Sequence, residues 1–155
     1  MKGRNKLLLW TAALASVWAC NSDRVFEEHQ GMEALLWAAE DTVTFETGPL
    51  ELNNSVSLLN VRYNESYEFH NIYIRYLLKD SLDNLLTDSL INVSLFDNKT
   101  GRPLGDGFGN VFTKQDTLPQ IPALSPQKLK VQFIQYMRKE ELEGIEAVGL
   151  KINRQ

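Results

Sequence analysis

The sequence predicts an all-β fold: an antiparallel β-sandwich of two sheets with about seven or eight strands, either immunoglobulin-like or jelly-roll-like. From residue 41 onward, short segments alternate apolar and polar residues with the two-residue period of a β-strand. Turn-forming residues interrupt these segments roughly every 8 to 15 residues, a spacing typical of β-sandwiches. No long amphipathic helical pattern separates the segments, which argues against a parallel α/β sheet.

Seven segments are predicted as strands, and the third has the clearest pattern. It places Ile72, Ile74, Tyr76 and Leu78 on one face, where a strand would present them to a core. The predicted strands in chain order are Thr42–Glu46, Ser55–Tyr63, Asn71–Lys79, Ser89–Phe96, Asn110–Lys114, Leu129–Met137 and Ile145–Ile152.

The connections between the strands contain residues that favour turns. Asp97–Gly101 is a strong turn signal, because its glycine can adopt a positive φ. Pro119, Pro122 and Pro126 define a loop, since proline cannot donate to the hydrogen-bond ladder of a central strand. The segment Lys139–Leu142 is compatible with one helical turn.

The first nineteen residues have the pattern of a secretory signal peptide. A basic start with Lys2, Arg4 and Lys6 precedes a charge-free apolar run that ends at Ala19. The run has about 13 residues, fewer than the roughly 20 that a membrane-spanning helix needs. The single cysteine of the chain, Cys20, follows directly.

Cys20 in this position resembles the cysteine of a bacterial lipoprotein signal, whose thiol receives a diacylglycerol before cleavage. The alternative is an ordinary secretory signal with an incidental cysteine. A lone cysteine in an exported protein has no disulfide partner, which favours lipid attachment at Cys20. The chain then divides into a signal peptide (1–19), a lipidated tether and lead-in (20–40) and a β-sandwich domain (41–155). Within the lead-in, residues 31–40 are compatible with one or two helical turns.

The charge of the predicted mature chain limits the kinds of partner that it can bind. It has 13 Lys and Arg residues against 20 Asp and Glu residues, a net charge near −7. An acidic exported domain lacks the basic face that nucleic acid requires. It is also a poor binder of anionic lipid, so the fatty chains on Cys20 would provide the attachment to the membrane.

The sequence offers little chemistry for catalysis. His29 and His70 lack the spacing of zinc ligands, and no nucleophile-elbow motif is present. Glu65 and Glu68 flank an aromatic residue, as carboxylates in a sugar-cleaving site might, but such pairs are frequent in so acidic a chain. We therefore predict that the protein is not an enzyme and holds no metal ion and no cofactor.

Two further motifs have simpler structural explanations. Gly105–Gly109 resembles a phosphate-binding loop, but it precedes a predicted strand instead of a helix and so predicts a flexible connection. Asp97, Asn98 and Asp106 could offer oxygen atoms to calcium, yet no closing glutamate completes such a loop.

Four of the eight aspartates are followed by serine or threonine and then by an apolar residue. This triplet resembles the O-glycosylation acceptor of exported Bacteroidetes proteins. The candidate sites are Thr42, Ser81, Ser89 and Thr117. Aspartate before serine or threonine also favours the turn that leads into a strand, so a purely structural role stays open.

A series of short motifs runs through the predicted mature chain in one order. They are Val61–Arg62, Tyr67–Tyr73, Leu95–Asp97, Thr100–Gly105, Gly107–Gly109, Gln135–Arg138, Leu142, Gly144–Ile145 and Val148–Leu150. Together with Cys20, Trp37 and Phe45, they resemble the gliding motility lipoprotein GldH family of Bacteroidetes. The most specific combination is Gln135–Arg138 followed by Gly144–Ile145 and Val148–Leu150. One departure is Leu124–Leu129, where the family pattern leads us to expect a Gly-x-Tyr entry to the penultimate strand.

The resemblance implies a cell-envelope lipoprotein of the gliding machinery. It also implies a link to the protein secretion system that shares components with that machinery. It implies no catalytic residue. We also expect palmitate on the protein and a location at the outer membrane. Surface export of lipoproteins in this phylum favours acidic residues just after the cysteine, and here Asp23 alone is acidic and is followed by Arg24, so we expect the protein to face the periplasm.

The family-matched polar positions Arg62, Tyr67, Asn71 and Arg138 are then candidates for a surface that contacts other gliding or secretion proteins of the envelope. The alternative is that they are structural, in cross-strand pairs, turns and packing.

A glycan- or ligand-binding surface lipoprotein on the same fold is the alternative function. It requires a row of exposed aromatic side chains, for which Trp37, Tyr67 and Tyr73 are the candidates. A hydrolase comes third and requires two carboxylates that converge in a cleft about 5 to 10 Å apart.

Overall fold

The structure is a computed structural model that describes residues 23–50, 54–121 and 127–154. Within these ranges it contains eleven β-strands and a short 3-10 turn, and all the strand pairs are antiparallel. The strands are β1 Arg24–Gly31, β2 Leu36–Ala38, β3 Val43–Glu46, β4 Ser55–Asn64, β5 Asn71–Lys79, β6 Leu85–Ser94, β7 Asp106–Phe108, β8 Val111–Thr117, β9 Lys130–Gln135, β10 Glu141–Glu143 and β11 Ile145–Arg154. The predicted all-β, antiparallel class is confirmed.

The strands form three sheets in the part of the chain that the structure describes. The largest has five strands in the order β1-β11-β4-β8-β7, and the second has four in the order β3-β9-β5-β6. The strands β2 and β10 form a separate two-stranded sheet. The predicted sandwich of two sheets with seven or eight strands is therefore wrong both in the number of sheets and in the number of strands.

The four additional strands lie where the sequence has little periodicity. Strands β2, β7 and β10 have three residues each, which is too short for an alternating pattern to be visible. Leu142 of β10 pairs with Trp37 of β2, so a strand begins where the sequence allowed a helical turn. Strand β1 lies in the predicted lead-in, and its Glu27–Gln30 run is exposed because β1 is an edge strand that pairs with β11 alone. One 3-10 turn, Glu33–Leu35, follows it.

The two larger sheets contribute to a single hydrophobic cluster. Strand β5 has the bounds that the sequence predicts, and its Ile72, Ile74, Tyr76 and Leu78 are at most 1% exposed, which confirms the predicted face. Other strands add Val131, Phe133, Val148, Leu150 and Ile152, all without exposed surface. Burying one such side chain stabilises the fold by about 1.5–3 kcal/mol.

Tyr63 of β4 connects the five-stranded sheet to the loop after β6. Its hydroxyl donates to the carbonyl oxygen of Leu95 at 2.6 Å and accepts from the backbone N–H of Gly105 at 3.1 Å. The ring packs edge-on against Phe96, with centroids 5.2 Å apart. Because the hydroxyl satisfies two backbone groups at once, it ties three segments of chain together.

We expect Tyr63→Phe to lower the free energy of unfolding by about 1–3 kcal/mol, because the N–H of Gly105 loses its partner and the carbonyl oxygen of Leu95 retains the bond from the N–H of Leu104 alone among the described residues. The matched control is Tyr76→Phe, since the Tyr76 hydroxyl is buried without a hydrogen-bond partner among the described residues. Removing that hydroxyl should be neutral or stabilising. Urea titrations of both variants measure the difference, and equal effects would contradict this assignment.

Several sequence predictions fall outside the described residues. These are the signal peptide at 1–19, the lipid-bearing Cys20, and Pro122 and Pro126 of the loop before β9. They stay predictions, as do the domain boundaries drawn from them. Within the described ranges, no helix has the length and apolar character needed to cross a bilayer.

Candidate functional site

The four family-matched polar residues lie in different surroundings, and Arg62 has a local partner. Arg62 is exposed on β4, and its Nε donates to Oε2 of Glu146 on β11 at 3.2 Å. The Nδ2 atom of Asn64 donates to the other oxygen of that carboxylate, also at 3.2 Å. This cross-strand contact agrees with a structural role for Arg62.

Tyr67 and Asn71 also have partners within the chain. Tyr67 is 4% exposed, and its hydroxyl donates to the carbonyl oxygen of Asn71 at 2.9 Å. Burial raises the pKa of Tyr67 well above its ordinary value, so the phenol stays neutral. The Asn71 side chain donates to Oδ1 of Asn92 across the β5–β6 pair at 2.6 Å. A buried tyrosine and a paired asparagine leave little for a partner protein to contact.

Arg138 differs from the other three. It is exposed, and it forms no hydrogen bond or ion pair with any residue in the described ranges. It lies on the rim of a groove of about 550 Å³, which we call the Tyr136 groove. The lining residues are Phe69, Tyr73, Tyr136, Met137, Arg138 and Lys139.

The end of β9 builds this groove against β5. The backbone N–H of Tyr136 donates to the carbonyl oxygen of Tyr73 at 2.8 Å, which places the two tyrosines side by side on adjacent strands. Tyr136 is 60% exposed and Tyr73 is 38% exposed. The ammonium group of Lys139 lies over the Phe69 ring, 5.7 Å from its centroid, and pairs with Glu68.

Gln135 holds the loop that presents Arg138. It is 3% exposed; its Nε2 donates to the carbonyl oxygen of Lys139 at 2.8 Å, and its Oε1 accepts from the N–H of Met137 at 2.9 Å. One buried amide therefore closes the turn from residue 135 to 139. These contacts give Gln135 a structural role in the motif Gln135–Arg138.

The other candidate positions do not form a site of comparable definition. Trp37 has no exposed surface and donates from its indole N–H to the carbonyl oxygen of Asp41 at 2.9 Å. Of the three aromatics proposed for sugar stacking, Tyr73 alone is exposed, because Tyr67 is buried as well. The exposed row that glycan binding requires is therefore not formed by these residues.

The aspartates considered as calcium ligands have structural roles in the fold. One carboxylate oxygen of Asp97 accepts from the N–H groups of Lys99 and Thr100, and the bond from the Thr100 side chain is the main cause that lowers the pKa of Asp97. Asp106 begins strand β7, so Gly105–Gly109 is largely a strand and turn. Among the described residues no cluster of three or more His, Cys, Asp or Glu side chains could hold a metal ion.

Three of the aspartates in the Asp-Ser/Thr triplets stabilise local structure. Asp80 accepts from the backbone N–H of Leu82 at 2.8 Å, Asp116 from that of Thr117 at 2.9 Å, and Asp88 forms an ion pair with Arg75 at 2.7 Å. The candidate acceptors Thr42, Ser81 and Thr117 are exposed, whereas Ser89 is half-buried. Glycosylation at these four positions stays a prediction.

Comparison with known proteins identifies the family. The family model described as GldH lipoprotein matches residues 24–152, which include the groove, the Tyr63 contacts and all the strands except Asn153 and Arg154 at the end of β11. The chain belongs to the GldH lipoprotein family. The resemblance carried by the sequence motifs is thereby confirmed, and a GldH lipoprotein is a membrane-associated protein of the cell envelope.

A curated relative supports the family over nearly the whole length. The chain is 28% identical over 159 residues to a protein of Christiangramia forsetii named gliding motility lipoprotein GldH homolog. The alignment covers 96% of this chain and 93% of the relative. Like the family model, it includes strand β1, which the sequence pattern assigns to the lead-in.

Solved structures add information on the fold alone. A family GH115 4-O-methyl-α-glucuronidase matches with a TM-score of 0.50 and 10% identity, over 88% of this chain but 18% of that chain. The VP2 subviral particle of infectious bursal disease virus matches with a TM-score of 0.38 and 11% identity, over 88% of this chain and 34% of the viral chain. The chain thus spans a minor part of these structures.

Proposed function

We propose that this GldH family member is a lipid-anchored, non-catalytic interaction part of the gliding motility and associated secretion machinery. The observation that supports it most strongly is the family match over residues 24–152. The relative from Christiangramia forsetii is named a gliding motility lipoprotein GldH homolog, and its alignment covers 96% of this chain. In this proposal acyl chains on Cys20 hold the domain at the outer membrane, facing the periplasm.

The Tyr136 groove is the surface that we propose contacts the partner. Tyrosine, methionine and arginine are enriched in protein interfaces, and here they line one concave surface. Arg138 has no partner of its own in the described chain, so its guanidinium is free to form a bidentate pair with a carboxylate. We therefore propose that the partner presents an acidic side chain beside an apolar one.

The groove residues also favour an interaction over catalysis. Two tyrosines, a methionine and an arginine provide contact area and charge, but they do not include a general base or a nucleophile with a base beside it. Glu65 and Glu68 are both exposed, and Glu68 pairs with Lys139. The glycan-binding alternative loses support because Trp37 and Tyr67 are buried.

Arg138→Ala tests the groove directly. We expect the variant to fold and reach the membrane as the wild type does, since substitutions of exposed residues usually change stability by less than about 0.5 kcal/mol. Colony spreading should be lost or reduced at least several-fold, because the partner's carboxylate would have no counter-charge. In an organism that does not glide, the amount of secreted protein replaces spreading as the readout.

The matched control is Arg154→Ala, which removes an exposed arginine from the end of β11, in the other large sheet and outside the residues that the family model matches. It should leave spreading unchanged. Wild-type spreading by Arg138→Ala, at normal protein level, would contradict the proposed partner surface. Equal loss in both variants would indicate a general effect of charge.

A further inference from the structure

The two larger sheets have four edge strands among the described residues, and one of them is unprotected. Strands β7 and β3 have three and four residues, and β1 contains several charged residues. Strand β6 has ten residues with a single charge, Asp88, which Arg75 of β5 binds through both carboxylate oxygens. Natural edge strands are usually short, charged or interrupted by proline, because an open edge recruits another strand.

The pairing pattern identifies the backbone groups that β6 leaves open. The N–H of Leu95 donates to the carbonyl oxygen of His70, and from Thr87 onward the β5–β6 register continues without a bulge. Hydrogen-bonded pairs alternate along antiparallel strands, so the odd-numbered residues of β6 bond to β5. The even-numbered residues therefore direct their N–H and C=O groups to the open edge. From Thr87 onward they are Asp88, Leu90, Asn92 and Ser94.

The side chains of these residues suit pairing with an identical strand. Leu90 is 53% exposed, and Asp88 and Asn92 are exposed two residues to either side of it. If two copies of β6 meet antiparallel about Leu90, leucine faces leucine and each aspartate faces an asparagine amide. A register centred on Asp88 would instead oppose two carboxylates, which is destabilising.

We propose that β6 pairs antiparallel with β6 of a second copy of this chain, about a two-fold axis at Leu90. The pairing would use the open backbone positions of Asp88, Leu90 and Asn92 on each strand. It would join two four-stranded sheets into one continuous eight-stranded sheet and remove the unprotected edge from both copies. This contact uses a different surface from the Tyr136 groove and does not require the proposed role in gliding.

Disulfide cross-linking of the full chain in its own membranes tests the axis. Opposed residues in a hydrogen-bonded antiparallel pair have Cα atoms about 5.5 Å apart, within the range that a disulfide spans. Leu90→Cys should give a covalent dimer on mild oxidation, with a yield at least tenfold above that of the wild type. The matched control is Leu85→Cys, which is 54% exposed but five residues from the axis, so its two copies would lie about 34 Å apart.

Introducing a charge at Leu90 distinguishes a second copy of this chain from any other protein at the β6 edge. Leu90→Lys and Leu90→Glu, each expressed in two differently tagged full-length forms, should reduce co-purification of the two forms at least tenfold. Co-expressing one form of each variant should restore it, because lysine then faces glutamate. Loss without restoration, or cross-linking of Leu85→Cys as efficient as that of Leu90→Cys, would overturn the proposal. If a strand from a different protein occupied this edge, the two tagged forms without a substitution would not co-purify, and that result would overturn the proposal as well.

Discussion

Replacing Gly144 by alanine is expected to destabilise the domain by roughly 2–5 kcal/mol, combining left-handed strain with overpacking. Gly144 joins β10 to β11 with φ at 82°, and an added Cβ would lie 2.4 Å from the backbone nitrogen of Tyr67. The obstructing atom belongs to the backbone, so it cannot move aside as a flexible side chain would. The Gly144 carbonyl also accepts from the N–H of Asn64 at 2.9 Å, which holds β4 at the same point.

Gly101→Ala is the matched control for this variant. Its φ is 67°, so alanine meets comparable left-handed strain, but no atom lies within 4 Å of the added Cβ. We expect it to cost about 1–2 kcal/mol, the strain component alone. Urea unfolding followed by tryptophan fluorescence measures both values, and equal costs would show that the predicted clash with Tyr67 has no energetic effect.

The second large effect is expected from Cys20→Ala. If acyl chains on Cys20 provide the attachment, losing them should move the protein from the membrane to the soluble fraction, because two or more chains are needed for stable binding. The predicted mature chain has 13 Lys and Arg residues against 20 Asp and Glu residues, so attraction to anionic lipid would not compensate. Spreading should fall to the level of a deletion strain. Ser16→Ala, within the predicted signal peptide, is the control and should remain anchored and motile; release of both variants would contradict the role of the thiol.

The strands that the sequence predicts well are those with one face in the core. In β5, four alternating apolar residues are buried, and its two ends coincide with the predicted ends. Strand β1 has no such pattern, because an edge strand can leave polar residues on both faces. Its assignment depends on the pairing of residues 24–31 with β11, which are more than a hundred residues apart in the chain. Local periodicity contains no information about such a contact.

The candidate site was predicted in part. Arg138 is among the four polar positions chosen from the family pattern, and it is the one that the fold leaves free. Tyr136 and Tyr73 were not predicted as groove residues, because their proximity comes from the β5–β9 register. For Tyr67 the sequence left a partner surface and a structural role open, and its buried hydroxyl, which is bonded within the chain, favours the structural role. Whether an aromatic residue in a strand is buried depends on the sheet that covers it.

The structure also shows what the aspartates of the Asp-Ser/Thr triplets do in the fold. The sequence left glycan attachment and turn formation open as explanations. In the structure, the carboxylate of Asp80 accepts from the backbone N–H of Leu82, as expected for a residue that begins a turn. Asp116 lies within β8, and its carboxylate accepts from the backbone N–H of the adjacent Thr117. This accounts for the aspartates without the need for a glycan, while the exposed hydroxyls of Ser81 and Thr117 remain accessible.

Incorporation of radiolabelled palmitate into the wild type and Cys20→Ala, with membrane fractionation of both strains, is the most direct measurement. A lipid-anchored part of the gliding machinery predicts label on the wild type alone, with the labelled protein in the membrane and spreading lost in the variant. Absence of label from the wild-type protein would contradict the central claim. The chain would then be an exported domain without an anchor, and ligand binding would become the leading explanation for its function.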